Sequence, residues 1–153
     1  MSDYLEKIRH YCAYQERCHS EVRNKLLELS VYGADLEEAV SLLIADDFLN
    51  EERFARSYCR GKFRLKQWGK NKIIQSLKFK KVSDYCIRKG LSEIDEEAYL
   101  ETFYKLVEKK KKELSGEKNI WIKKKKIKDF LNRRGFEAPL IYDALAKMGN
   151  ADK

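Results

Sequence analysis

The chain has 153 residues, a formal net charge of +8, and 38% charged and 43% hydrophobic residues. Its apolar share allows packed cores and argues against global disorder, while one Pro and seven Gly favour helices. No run approaches the ~18 consecutive apolar residues of a membrane span, and the Met-Ser-Asp-Tyr-Leu-Glu start has no basic region before an apolar core.

Apolar spacing and cap residues predict about nine helices. Asp3 and Glu6 can form a capping box for the first, with Leu5, Ile8 and Cys12 on one face. Ser20 is placed to open a second helix carrying Val22, Leu26 and Leu29, with Gly33 beyond its end. Asp35 with Glu38 begins a third, carrying Leu36, Ala39, Val40 and Leu43. Asn50 caps a longer fourth helix with Phe54, Tyr58, Leu65 and Trp68 inward, and Gly69 breaks it. Ile73, Ile74 and Leu77 mark the fifth, and a short sixth starts near Ser83. Asp95 to Glu97 open the seventh, whose stripe is Leu100, Phe103, Leu106 or Val107, and Leu114. The eighth spans about Ile120 to Arg134. Pro139 suits the first turn of the ninth, which Gly149 closes.

An internal repeat runs through these helices. Ile127, Leu131, Gly135, Phe136, Ile141, Ala144 and Leu145 share their spacing with Ile73, Leu77, Lys81, Val82, Ile87, Gly90 and Leu91. A first copy centred on Gly33 fits only if three extra residues precede that glycine, giving separations of 48 and 54 residues. The expected fold is all-α: an elongated, curved array of three tandem three-helix repeats. Their bounds are 1–48, 49–92 and 93–149, followed by a disordered tail over 150–153.

Charge divides along the same line. Residues 1–51 hold five basic and eleven acidic side chains, net −6, whereas 52–153 net +14. Residues 52–90 alone carry thirteen Lys and Arg against Glu52 and Asp84. Such a field attracts polyanions, and nucleic acid is the first candidate partner. At 100° per residue, Arg53, Arg56, Arg60 and Arg64 form one lengthwise stripe, flanked by Lys62 and Lys66 and extended by Lys70, Lys72, Lys78, Lys80 and Lys81. Arginine forks can grip phosphate or carboxylate. Arg53 has a second reading, pairing with Asp46, Asp47 or a neighbouring acid to support the turn. In the last repeat, Lys109–Lys112, Lys123–Lys126, Lys128, Arg133 and Arg134 mix with acids, so solvation competes with binding there; Lys124, Lys128, Arg133 and Arg134 are its candidate binding residues. Trp121 could stack on a base, but its neighbours Ile120 and Ile122 favour packing in a core or an interface.

Catalysis finds no support. There is no GxxxxGK[ST] loop, and His10 and His19 are the only histidines. His10, Cys12, Cys18 and His19 lie within ten residues, but the Cys-x5-Cys spacing is not that of a zinc knuckle and packing thiols are favoured. Paired acids at Asp46–Asp47 and Glu51–Glu52 answer helix dipoles better than a metal. No cofactor and no metal are expected.

The segment Asp47-Phe-Leu-Asn-Glu-Glu-Arg53-Phe54-Ala55-Arg-Ser-Tyr58, followed by Arg64, Trp68-Gly69, Lys72-Ile73 and Leu77, resembles the RecX family. Glu21-Val22-x2-Lys25-Leu26 and Gly135-Phe136-x4-Ile141-x2-Ala144-Leu145 are similar to that family's first and third repeats. The chain departs from the family pattern at Phe48, where Gly is usual, at Lys81-Val82, where Gly-Ile is usual, and in the apparent insertion near Ser30–Tyr32. The resemblance implies a non-enzymatic modulator of the RecA recombinase that binds in the groove of the RecA–DNA filament and inhibits ATP hydrolysis, strand exchange or filament growth. Single- or double-stranded DNA is a further expected partner, and a cytoplasmic monomer with no membrane contact is the expected state. An autonomous helix-turn-helix nucleic-acid binder built on Ile73–Leu91 is the runner-up, weakened by a short second helix offering only Arg88 and Lys89 beside Tyr85. A metal-dependent nuclease is a distant third.

Overall fold

The computed structural model describes residues 2–151, and among these the chain forms nine α-helices and no strand. They are α1 (Ser2–Tyr14), α2 (His19–Glu28), α3 (Gly33–Ala45), α4 (Glu51–Lys66), α5 (Lys70–Phe79), α6 (Asp84–Leu91), α7 (Glu96–Glu113), α8 (Ile120–Arg134) and α9 (Ala138–Ala151). No described helix is long and apolar enough to cross a membrane.

Later helices start where their cap residues predict. Asn50 Oδ1 accepts from the Arg53 N–H at 2.9 Å, Ser83 Oγ from Cys86 at 3.2 Å, and Asp95 from Ala98 at 2.9 Å. Asn119 Oδ1 accepts from Trp121 and Ile122, capping α8. The early helices differ. Helix α1 already runs at Ser2, which leaves Asp3 in its first turn. At α2 the Glu21 carboxylate accepts from the Cys18 N–H at 3.1 Å, while Ser20 donates to the Lys80 carbonyl at 2.7 Å instead of capping. Helix α3 opens at Gly33, two residues before Asp35. Helix α4 stops at Lys66 because Gln67 turns left-handed at φ 55, and Leu65, expected inward, is 83% exposed. Gly149 does not end α9, which continues through Asn150 and Ala151. Of the tail expected over 150–153, residues 152–153 lie outside the described residues.

The repeat is more regular than the sequence spacing suggests. Val31 donates to Leu26 O, Val82 to Leu77 O and Phe136 to Leu131 O, at 2.9, 3.0 and 3.1 Å. In each case the intervening residue is left-handed: Ser30 (φ 63), Lys81 (φ 63) and Gly135 (φ 93). All three are the same helix-ending turn, in which the left-handed residue lets two orphan carbonyls find N–H donors. The first copy is therefore centred on Ser30, not Gly33, and no insertion is needed. Val22, Leu26, Val31, Leu36, Ala39 and Val40 then occupy the same offsets as Ile73, Leu77, Val82, Ile87, Gly90 and Leu91, at separations of 51 and 54 residues. Gly33 was misleading because it too has positive φ, but it starts a helix rather than ending one.

Packing groups the chain into two compact units, residues 1–60 with 76–93, and residues 61–75 with 94–153. In the first, Ile8, Cys12, Val22, Leu26, Val31, Leu36, Ala39, Val40, Leu43 and Leu49 form one buried cluster. Gly90 lies against Ala55 and Cys59; a Cβ there would fall 2.7 Å from the Ala55 carbonyl oxygen. Burial pushes the Cys12 thiol up to about 11 and the Cys59 thiol up to about 12, so both stay protonated packing groups at neutral pH. In the second unit, Tyr99 is fully buried between Phe63 and Phe136, with ring centroids 5.8 and 5.4 Å away, and Phe103 packs edge-on to Phe136. The Tyr99 hydroxyl donates to Glu137 and accepts from the Lys70 N–H at 2.9 Å, so this buried polar group is satisfied. Burial and the Glu137 carboxylate both raise its pKa.

Candidate polyanion interface

The three leading arginines of the predicted stripe belong to the first unit, and acids hold all three. Arg53 donates to Glu16, to Asp47 Oδ1 at 3.1 Å and to the Asp47 carbonyl at 3.0 Å. Arg56 donates to Glu52 at 3.1 Å and Glu93 at 2.7 Å, and Arg60 reaches the other oxygen of Glu93 at 2.5 Å. These guanidiniums tie α4 to the α1–α2, α3–α4 and α6–α7 loops. Lys80 is engaged too, with Glu21 at 3.2 Å. Lys78 and Lys81 are exposed and form no ion pair among the described residues; Lys81 occupies the left-handed turn position.

The second unit differs in balance and in geometry. Counting by unit, the first has 13 basic and 14 acidic residues (−1), and the second 20 and 11 (+9). Lys66, Trp68, Lys72, Lys110, Lys126, Phe130, Arg133 and Arg134 line a cleft of about 480 Å³, with Asp129 the single carboxylate. Among the described residues, Lys66, Lys72, Lys126, Arg133 and Arg134 form no ion pair. Two aromatic rings lie among the cations. Lys72 Nζ is 4.5 Å from the Trp68 ring centroid; Lys110 Nζ and the Arg134 guanidinium are 5.0 and 5.3 Å from that of Phe130.

Backbone bonds hold this cleft. At the C-terminus of α8, the Arg134 carbonyl accepts from the Gly69 N–H at 2.7 Å, and the Gly135 carbonyl accepts from Asn71 at 2.9 Å. Arg134 in turn donates to the Lys66 carbonyl at 2.9 Å. The helix end is thus satisfied by the turn between α4 and α5, which fixes Lys66, Trp68 and Lys72 against α8. Such closeness requires glycine twice. A Cβ at Gly69 would collide with the Gly135 carbonyl group, and one at Gly135 would fall 2.5 Å from Lys72 N.

Of the candidates from sequence, Lys66, Lys72, Arg133 and Arg134 come together here. Arg64 is exposed in the same unit but does not line the cleft. Lys70 is taken up by Glu96 at 2.8 Å and lies 4.6 Å from the Tyr99 ring. Lys124 and Lys128 are on another side of α8. Lys110 and Lys126 were visible only as members of lysine runs, and Trp68 and Phe130 carried no sequence signal for this site. Their common place depends on a turn meeting a helix over sixty residues away.

The model of "RecX, second three-helix domain" matches residues 50–91, and that of "RecX, third three-helix domain" matches 96–145. Together they cover more than half of the chain. The chain belongs to the RecX family. "Regulatory protein RecX" of Bacillus mycoides is 33% identical over 146 residues, covering 95% of this chain and 53% of that protein. Its Bacillus cytotoxicus counterpart is 32% identical with the same coverage. The chain therefore spans about half the length of these curated relatives. The crystal structure of RecX from Lactobacillus salivarius superposes with a TM-score of 0.82 at 25% identity, covering 97% of this chain and 99% of that one. A second structure, of a "regulatory protein RecX", gives 0.83 at 21% identity over 95% of this chain and 72% of its own, which supports the fold. The all-α RecX fold of tandem three-helix domains is thus established for this sequence.

Proposed function

We propose that this chain is a non-enzymatic modulator of the RecA recombinase. It binds in the groove of the RecA–DNA filament and restrains ATP hydrolysis, strand exchange or filament growth, and the cleft of the second unit is its principal contact with the polyanion. Family membership supports this class of target. The observation that carries the site is the convergence of six cations with one carboxylate, on a frame held by backbone hydrogen bonds. Like charges gathered in this way repel one another, so the arrangement is most favourable with an anion between them. The reading takes residues 1–48, 49–92 and 93–149 as the repeat units and a cytoplasmic monomer as the working state.

The test is RecA-dependent ATP hydrolysis on single-stranded DNA with added protein. Lys126→Glu with Arg133→Glu changes two exposed cleft residues that carry no structural ion pair. That variant should need roughly tenfold or more protein for equal inhibition, the scale expected for losing one or two charge-assisted contacts. Full inhibition by the folded variant removes the cleft from the mechanism. No inhibition by the unaltered protein, with tight sequence-selective duplex binding instead, returns the helix-turn-helix reading.

A further inference from the structure

Helix α8 has a second basic face. At 100° per residue, Lys126, Asp129, Phe130, Arg133 and Arg134 point into the cleft, whereas Trp121, Lys124 and Lys128 lie on the opposite side; Lys125, between the two faces, pairs with Asp129 at 3.5 Å. Trp121 is not packed in a core: the residue is 76% exposed, and Ile122 beside it is 44% exposed. Lys124 Nζ is 5.8 Å from the Trp121 ring centroid, near the ~6 Å limit of a cation–π contact. A recess of about 450 Å³ adjoins the indole, bordered by Lys118, Lys123 and Lys124. Its one carboxylate, Glu117, accepts from the Asn119 N–H at 3.3 Å. One turn beyond Lys124, Lys128 Nζ lies 5.5 Å from the ring of Tyr142, which is 57% exposed.

We propose that this face is a stacking platform for an unpaired nucleic-acid strand, with a base on Trp121 and the adjoining phosphates on Lys124 and Lys128. Exposed rings alternating with ammonium groups are the two components of sequence-tolerant single-strand binding. A duplex keeps its base faces stacked internally, so it can use the lysines but not the indole. The proposal extends the filament reading only in naming the strand's chemistry, and it concerns a surface separate from the cleft.

The test compares affinity for an oligo-dT strand and for a duplex of equal length, by fluorescence anisotropy, for the unaltered protein, Trp121→Leu and Trp121→Phe. Trp121→Leu should lose roughly 5- to 100-fold on the single strand, the range expected for one stacked base. Its duplex affinity should barely move, Trp121→Phe should keep most of the strand affinity, and the helical circular dichroism should be intact in both. Equal losses on strand and duplex, or none on the strand, overturn the platform. Unchanged strand affinity with weakened filament inhibition assigns Trp121 to a protein contact and also overturns it. The Lys126→Glu/Arg133→Glu result stands or falls independently of these outcomes.

Discussion

Glu93 accepts from Arg60 at 2.5 Å and from Arg56 at 2.7 Å, and those bonds hold its carboxyl below the ordinary value of 4.5. A lowered folded-state pKa means that the unfolded chain binds the proton more readily. The resulting stability is complete above the unfolded value and is lost as pH falls through the folded one. Glu93→Gln should therefore unfold at lower urea than the unaltered protein at about pH 7, with the gap between the two midpoints narrowing as pH falls below the ordinary carboxylate range. A gap that persists undiminished in acid would contradict the pairing. Reversing Arg56 and Arg60 would strip Glu93 of its partners and add carboxylates around it, so lost inhibition there would report stability as well as binding. The stripe was legible in the sequence as helical spacing; its neutralisation was not, because Glu16 and Glu93 lie 37 and 33 residues from their nearest arginine partners.

At the level of elements, the three equivalent turns after α2, α5 and α8 use Ser30, Lys81 and Gly135 for one left-handed position. Side chains with a Cβ are disfavoured there by roughly 1–2 kcal/mol, partly offset by the greater freedom of glycine in the unfolded chain. Lys81→Gly should thus stabilise the protein by about 0.5–1 kcal/mol, read as a higher urea midpoint with unchanged slope. A lower midpoint would show that the Lys81 side chain does more than tolerate its turn. Cap residues such as Asn50, Ser83 and Asp95 were readable because each acts within three residues of itself. Ser30 was not, because a serine in this conformation leaves no compositional mark and a nearby glycine drew the alignment. Only the pattern of N–H donors shows which residue ends the helix.

For the whole molecule, the sequence shows a charge step from −6 to +14 at residue 51, while the packed units carry −1 and +9. The difference arises because the arginines of early α4 pack with acids that precede and follow them, whereas the lysines and arginines of residues 61–75 join those of α7 and α8. The most direct test of the cleft is the salt dependence of binding to the RecA–DNA filament. Each phosphate neutralised contributes about 0.7–0.9 to the slope of log affinity against log salt. Lys126→Glu with Arg133→Glu should lower that slope by roughly 1–2 while weakening binding. An unchanged slope, with the variant folded and bound as tightly as the unaltered protein, would contradict the assignment of the cleft to the polyanion.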